Sequence, residues 1–158
     1  MSDTHDRLDA VEKAISFFNC QEVTDVLHAG DLVSPFVARL FSKLKAKLHY
    51  VWGNNEGDHD YITVRLADIG VRPLGHFAAL QLGGKKIALL HGTHQEIVDS
   101  LVKSGAYDLV VRGHNHRAEI VEGKTLVVNP GETCGYLSGR QTVALIDLDK
   151  MQAQIVQL

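Results

Sequence analysis

Proline is scarce in this chain, with three residues, and cysteine scarcer, with two. So little proline in 158 residues argues against a disordered or linker-rich protein. Cys20 and Cys134 lie far apart and lack a C-x-x-C partner, so two reduced thiols are expected rather than a disulfide framework. No apolar run approaches the roughly 20 residues of a membrane-spanning helix, and Met1-Ser2-Asp3 has none of the basic-then-apolar pattern of a secretory signal. A cytoplasmic protein without membrane contact is expected. Positive charge is not in excess either: the net charge of -3 argues against a broad electrostatic grip on nucleic acid.

A hydrophobic content of 45% beside 22% charged residues is that of a globular protein with a real core, and the length suits one domain spanning 1–158. Histidine is abundant, with nine residues. The spacing of Leu8, Val11, Ala14, Ile15 and Phe18 predicts a helix over Leu8–Asn19. Thr24–Ala29 then reads as a strand ending in Gly30-Asp31. Ser34-Pro35 starts a second helix with a buried stripe of Phe36, Val37, Leu40, Phe41 and Leu44. Leu48–Trp52 is a strand running into Gly53-Asn54-Asn55-Glu56, and a weaker helix follows over Tyr61–Asp68. Gly83-Gly84 between Phe77–Leu82 and Lys86–Leu90 marks a hairpin. Its second strand leads to His91-Gly92-Thr93-His94, and a helix over Gln95–Ser104 comes next. The uncharged run Leu109–Val111 is a buried strand that discharges into Arg112-Gly113-His114-Asn115-His116. Strands over Ala118–Val121, Thr125–Val128, Thr142–Asp147 and Gln154–Leu158 complete the chain, with Asn129-Pro130-Gly131 after the second.

Alternating strand and helix, followed by paired strands, predicts an α/β protein with a mixed sheet or two stacked sheets between helices. In such sheets ligands collect beyond the carboxyl ends of the strands. The polar clusters after the strands all lie there. Taken singly, each has an ordinary reading. Asp3 and His5 suit a helix N-cap region, Asp31 a loop cap, Asn54-Asn55 a left-handed turn, and His91 a satisfied, half-buried ring. One metal centre accounts for all of them together, because His114 and His116 on an extended segment present their rings to one volume.

In order, Asp3-x-His5, Gly30-Asp31, Gly53-Asn54-Asn55-Glu56, His91-Gly92 and Gly113-His114-x-His116 resemble the calcineurin-like metallophosphoesterase superfamily. The likeness is to its small single-domain bacterial and archaeal phosphodiesterases, and it runs from residue 1 to about Gly135 with Asn129-Pro130-Gly131 included. It implies a four-layer α/β/β/α fold, a β-sandwich of two mixed sheets flanked by helices. It also implies two divalent metals, one held by Asp3, His5, Asp31 and His116 and the other by Asp31, Asn54, His91 and His114, with Asp31 bridging. Mixed oxygen and imidazole donors suit Mn, Fe, Ni, Co or Zn, and ligand softness alone does not choose among them; Mn or Ni is the expected pair of alternatives for this family likeness. The implied chemistry is hydrolysis of a small phosphodiester: a water shared by the metals loses a proton near neutral pH and attacks phosphorus in line. Asp31 and Asn55 are the expected catalytic residues, with Asn55 and His94 contacting substrate. His28, His49, His59 and His76 are expected to be structural or solvated.

The pattern departs from the family in two places. Asn55 stands where many members have a histidine, and an amide cannot deliver a proton to a leaving group. A strong dependence of rate on leaving-group acidity is therefore expected, with activated aryl phosphodiesters favoured. Only Met1 and Ser2 precede Asp3, where the family has a hydrophobic strand of about five residues, so the first strand reads as truncated. The expectation is that this strand is encoded upstream, and that without it Asp3 and His5 sit on a frayed end. Two other functions fit the same fold: a non-catalytic protein-binding scaffold, and a phosphomonoesterase or nucleotidase. Retention of all seven ligand positions favours the enzyme, and a homo-oligomer is left open.

Overall fold

The computed structural model describes residues 1–158. Helices α1 (Leu8–Cys20), α2 (Pro35–Leu40) and α3 (His59–Ala67) belong to the first half of the chain, with β1 (Asp25–His28) and β2 (Lys47–Tyr50). The second half carries β3 (Phe77–Leu82), β4 (Lys85–Leu90), α4 (Gln95–Ser104), β5 (Leu109–Val111), β6 (Ala118–Val121), β7 (Leu126–Pro130), β8 (Thr142–Asp147) and β9 (Gln152–Gln157). No helix is long and apolar enough to cross a membrane. Both cysteines are free thiols.

Four layers result from the alternation of side chains along the strands. The outer helices α1, α2 and α3 bury Val11, Ile15, Phe18, Val37, Ile62 and Leu66 against Val26, Leu48, Tyr50 and Val143. The opposite faces of β1, β2 and β8 turn Ala29, Val51, Ala144 and Ile146 toward Ile87, Leu89, Leu109, Val111 and Val128 of a five-stranded sheet. On the far side of that sheet, Ala88, Leu90 and Val110 pack under Val98 of α4. In β4, residues 87 and 89 thus enter one core while 88 and 90 enter the other, which explains why the strand reads as a continuous apolar run.

The five-stranded sheet has the order β3-β4-β5-β7-β6, parallel in its centre and antiparallel at both edges. The β3–β4 turn is Gly83-Gly84 with both residues at positive φ, the backbone of a tight hairpin. The second sheet layer consists of two ribbons, parallel β1–β2 and antiparallel β8–β9. Met1–Asp3 lies between them. The Met1 amine donates to Leu27 O, the Ala29 amide to Met1 O and the Asp3 amide to Gly30 O, while Thr133 and Cys134 donate to Ser2 O and Asp3 O from the other side. Asp3 is accordingly buried, with 0% exposure, and the expected fraying is not found. Where the ribbons diverge, a cavity of about 330 Å³ remains, lined by Met1, Leu27, Val111, Val128, Ala144 and Ile146 among others.

Two sequence expectations need correction. Phe36 is exposed rather than part of the buried stripe, because α2 has barely one and a half turns and passes into a 3₁₀ turn at Phe41–Lys43. Strand β7 continues through Asn129-Pro130 because β6 pairs with it there, Ala118 opposite Pro130.

Candidate metal centre

The ligand candidates Asp31, Asn54, His91, His114 and His116 follow the carboxyl ends of β1, β2, β4 and β5, and Asp3 and His5 lie in the segment that precedes α1 and is hydrogen-bonded beside β1. Five of them, Asp3, His5, Asp31, His114 and His116, hold positive φ between 45° and 76°. Left-handed backbone in non-glycine residues costs on the order of 1–2 kcal/mol each and persists where the surroundings enforce it. Here it turns each side chain inward at the end of its strand. Close approach completes the arrangement: a Cβ on Gly53 would strike the Asp31 carboxylate, and one on Gly113 would strike Ser2 and Asp3.

The seven side chains meet. Asp31 Oδ1 lies 3.3 Å from His91 Nε2, and its Oδ2 lies 3.9 Å from His5 Nε2. Asp3 Oδ1 is 3.3 Å from His116 Nε2, and His114 Nδ1 is 2.9 Å from Asn54 Oδ1. The rings of His5 and His116 are 5.4 Å apart, and those of His91 and His114 5.1 Å. Asp3 Oδ1, His5 Nε2 and His91 Nε2 are buried yet make no hydrogen bond. Donor atoms of Asp3, His5 and Asp31 lie within 4.8 Å of one another. Orphaned polar atoms converging in one small volume are expensive unless a cation satisfies them, so the residues present fit divalent metal.

Outer hydrogen bonds set which nitrogen faces inward. His91 Nδ1 donates to Ala29 O at 2.7 Å, and His116 Nδ1 faces Glu132 Oε2 at 2.7 Å, which leaves both Nε2 atoms for the site. Burial pushes the Asp31 carboxyl up, but the His91 ring beside it and hydrogen bonds from Asn55 outweigh burial and hold the pKa well below the usual range. For Asp3, burial wins and the pKa rises. Burial depresses His91, but the Asp31 carboxylate overrides it and raises the pKa. Burial and then the neighbouring His91 lower His114. The surroundings therefore favour positive charge beside Asp31 and a neutral ring at His114.

Asn55 lies against Asp31: its amide N–H donates to Oδ1 and its side-chain Nδ2 to Oδ2, both at 2.9 Å. His94 sits exposed at the start of α4 without a capping bond, on the Asn54–His91 side. His28 is buried, donates through Nε2 to Thr4 Oγ1 and accepts from the Gly30 amide at Nδ1. His49 pairs with Asp25, and His59 stacks on Trp52.

Three residues escaped the sequence reading. Glu132 is fully buried and, besides His116, accepts from the amides of Leu137 and Ser138 and from the Cys134 thiol. Burial raises its carboxyl, but these bonds prevail and bring it down to about 2. Its only sequence signal is its place directly after Asn129-Pro130-Gly131. Glu56 accepts from the amides of Leu32, Val33 and Gly53 and so ties the Asp31 loop to the Asn54 loop. Cys134 has its sulfur among His5 and His116, but burial pushes the thiol up to about 12 and it stays protonated.

The profile of the calcineurin-like phosphoesterase superfamily domain matches residues 1–151. A phosphodiesterase of Methanocaldococcus jannaschii is 39% identical over 160 residues, an alignment that takes in 100% of this chain and 96% of the relative. A solved archaeal phosphodiesterase superposes with a TM-score of 0.95 at 39% identity, covering 100% of this chain and 97% of that one. The Vps29 protein of Entamoeba histolytica, solved with zinc, shares the fold at a TM-score of 0.67 and 18% identity, over 93% of this chain and 88% of its own.

Proposed function

Because the chain belongs to the calcineurin-like phosphoesterase superfamily, we propose that it is a two-metal phosphodiesterase acting on a small phosphodiester. The observation that carries this reading is the convergence of the unsatisfied Asp3 Oδ1, His5 Nε2 and His91 Nε2 around the Asp31 carboxylate. Asp3, His5, Asp31 and His116 would hold the first ion, and Asp31, Asn54, His91 and His114 the second. The ions proposed are Mn or Ni, and the donor set is equally compatible with Fe, Co and Zn. When bound, such ions would supply positive charge for an anionic phosphate and lower the pKa of a water.

The protein's own part is positioning. Asn55 grips both oxygens of Asp31 and fixes the carboxylate shared by the two ion sites. Glu132 and Ala29 fix the rings of His116 and His91. The Asn55 amide donates to a phosphoryl oxygen but offers no proton to the departing oxygen, so the leaving group departs as its anion. Seven inward donors at a cost in backbone strain argue for retained chemistry rather than for a scaffold.

The test is turnover of an aryl phosphodiester and an aryl monoester by purified protein with Mn or Ni, with Asp31→Asn as control. Metal-dependent hydrolysis favouring the diester is expected, and the absence of metal-dependent turnover of both substrates sinks the reading. Across a series of diesters, rate should fall steeply as leaving-group pKa rises, and Asn55→His should flatten that slope. A flat slope in the unaltered protein would remove Asn55 from the account.

A further inference from the structure

A cavity of about 340 Å³ opens off one side of the metal centre, where Asn54 and His91 form part of its wall. Trp52, Leu90 and Ile97 supply apolar surface, and His76 and His94 supply polar edges. None of its lining residues is Lys, Arg, Asp or Glu, so a second phosphate finds no counter-charge there. The volume lies near the lower end of the roughly 300–1,000 Å³ of small-ligand sites, suited to one ring system rather than a polymer.

Its walls are prepared for a flat ligand. Trp52 is held by His59, whose ring lies 4.3 Å away at 31°, and by Tyr50, which meets it at 5.1 Å and 81°. The indole is thus a fixed platform with little rotamer freedom to lose. Ile97, on the first turn of α4, leaves an apolar side chain 51% exposed beside it. His94 stands at the N-cap position of that helix but makes no capping bond. A neutral imidazole offers one donor and one acceptor, the complement of the mixed edge of a heteroaromatic ring.

We propose that this cavity holds the nucleobase of a nucleoside-bearing phosphodiester whose phosphate lies at the metal centre. The proposal rests on the phosphodiesterase reading and names its substrate class. Trp52 is the single tryptophan, so its fluorescence reports occupancy without turnover or metal. Adenosine or uridine titrated into metal-free protein should change that signal saturably while ribose does not. Ile97→Asp, at an exposed position, removes an apolar wall and places a carboxylate there, and should weaken the nucleoside response about tenfold, the size of one partly buried aliphatic contact. With Mn bound, the same variant should lower the kcat/KM ratio of a thymidine aryl phosphodiester to a methyl aryl phosphodiester by a similar factor. A saturable nucleoside signal without turnover of any ester leaves the cavity a nucleoside site and overturns the hydrolase reading. Turnover with no nucleoside signal, or with the ratio unmoved by Ile97→Asp, overturns the proposal.

Discussion

The two ends of the sandwich differ in almost every respect. At the carboxyl ends of β1, β4 and β5 the interior is crowded with polar groups, left-handed backbone and carboxylates held by several donors each. Between the diverging β1–β2 and β8–β9 ribbons the interior is mostly apolar and hollow, and of its lining residues Glu22 alone has left-handed backbone. One end is over-determined and strained at five ligand positions, the other under-filled. Stability therefore comes from the apolar layers, whereas the site end draws on it to keep charged groups where water would rather have them.

The largest effect should come from removing the shared carboxylate. Asp31→Asn should lower metal-dependent hydrolysis by about 10³-fold or more, roughly 4 kcal/mol of activation free energy. The metal-free variant should also melt at a lower temperature, because the depressed pKa of Asp31 marks a carboxylate that the fold stabilises, and an amide in its place loses one acceptor for the Asn55 donors. Unchanged metal-free stability would mean that the donors gathered around Asp31 contribute nothing to the fold.

Acid should attack the structure near the site end first. Burial, helped by the nearby Met1 amine, pushes His28 down to about 3 from 6.5. The unfolded chain therefore takes up this proton first, and the stability present above pH 6.5 is lost as pH falls. At about 1.36 kcal/mol per unit this reaches roughly 2.7 kcal/mol by pH 4.5. Below pH 4.5 Glu132, brought down to about 2, adds its own loss in the same direction. Urea titrations of metal-free protein across this range should show this loss added to that of the Met1 amine, which burial brings down to about 5, and His28→Gln should remove the His28 part and leave the amine's.

Glu132→Gln sharpens the comparison further. Loss of the charged partner of His116 should weaken metal binding about 10- to 100-fold in equilibrium dialysis. It should also quicken proteolysis within Thr133–Gly139, whose Leu137 and Ser138 amides the carboxylate holds. The smallest effect belongs to the hollow end. Ala144→Leu should fill part of the cavity and add about 0.5–2 kcal/mol in thermal denaturation, with metal affinity unmoved.

Helical period revealed α1, which buries one face, and short continuous apolar runs revealed β4 and β5, which lie between two cores and bury both. Pattern failed at Phe36, where a short helix ends before the stripe can be buried, and at Asn129-Pro130, where a partner strand extends a segment that reads as a turn. The ligand candidates were legible because each stands beside a glycine or a strand end. Glu132 and Glu56 were not. A carboxylate that gathers backbone amides from distant loops has no pattern of its own in the chain, since its partners are defined only when the loops meet.

The order of residues alone determined the alternation of layers, the family likeness and the residues at each strand end, because hydrophobic period and strand-end chemistry are local. Only the tertiary structure decided that Asp3, His5 and His91 aim bare donor atoms at one carboxylate, that Asn55 grips this carboxylate, and that Trp52 walls a cavity beside it. Those relations join residues 24 or more positions apart, and their distances follow from packing that no single segment specifies.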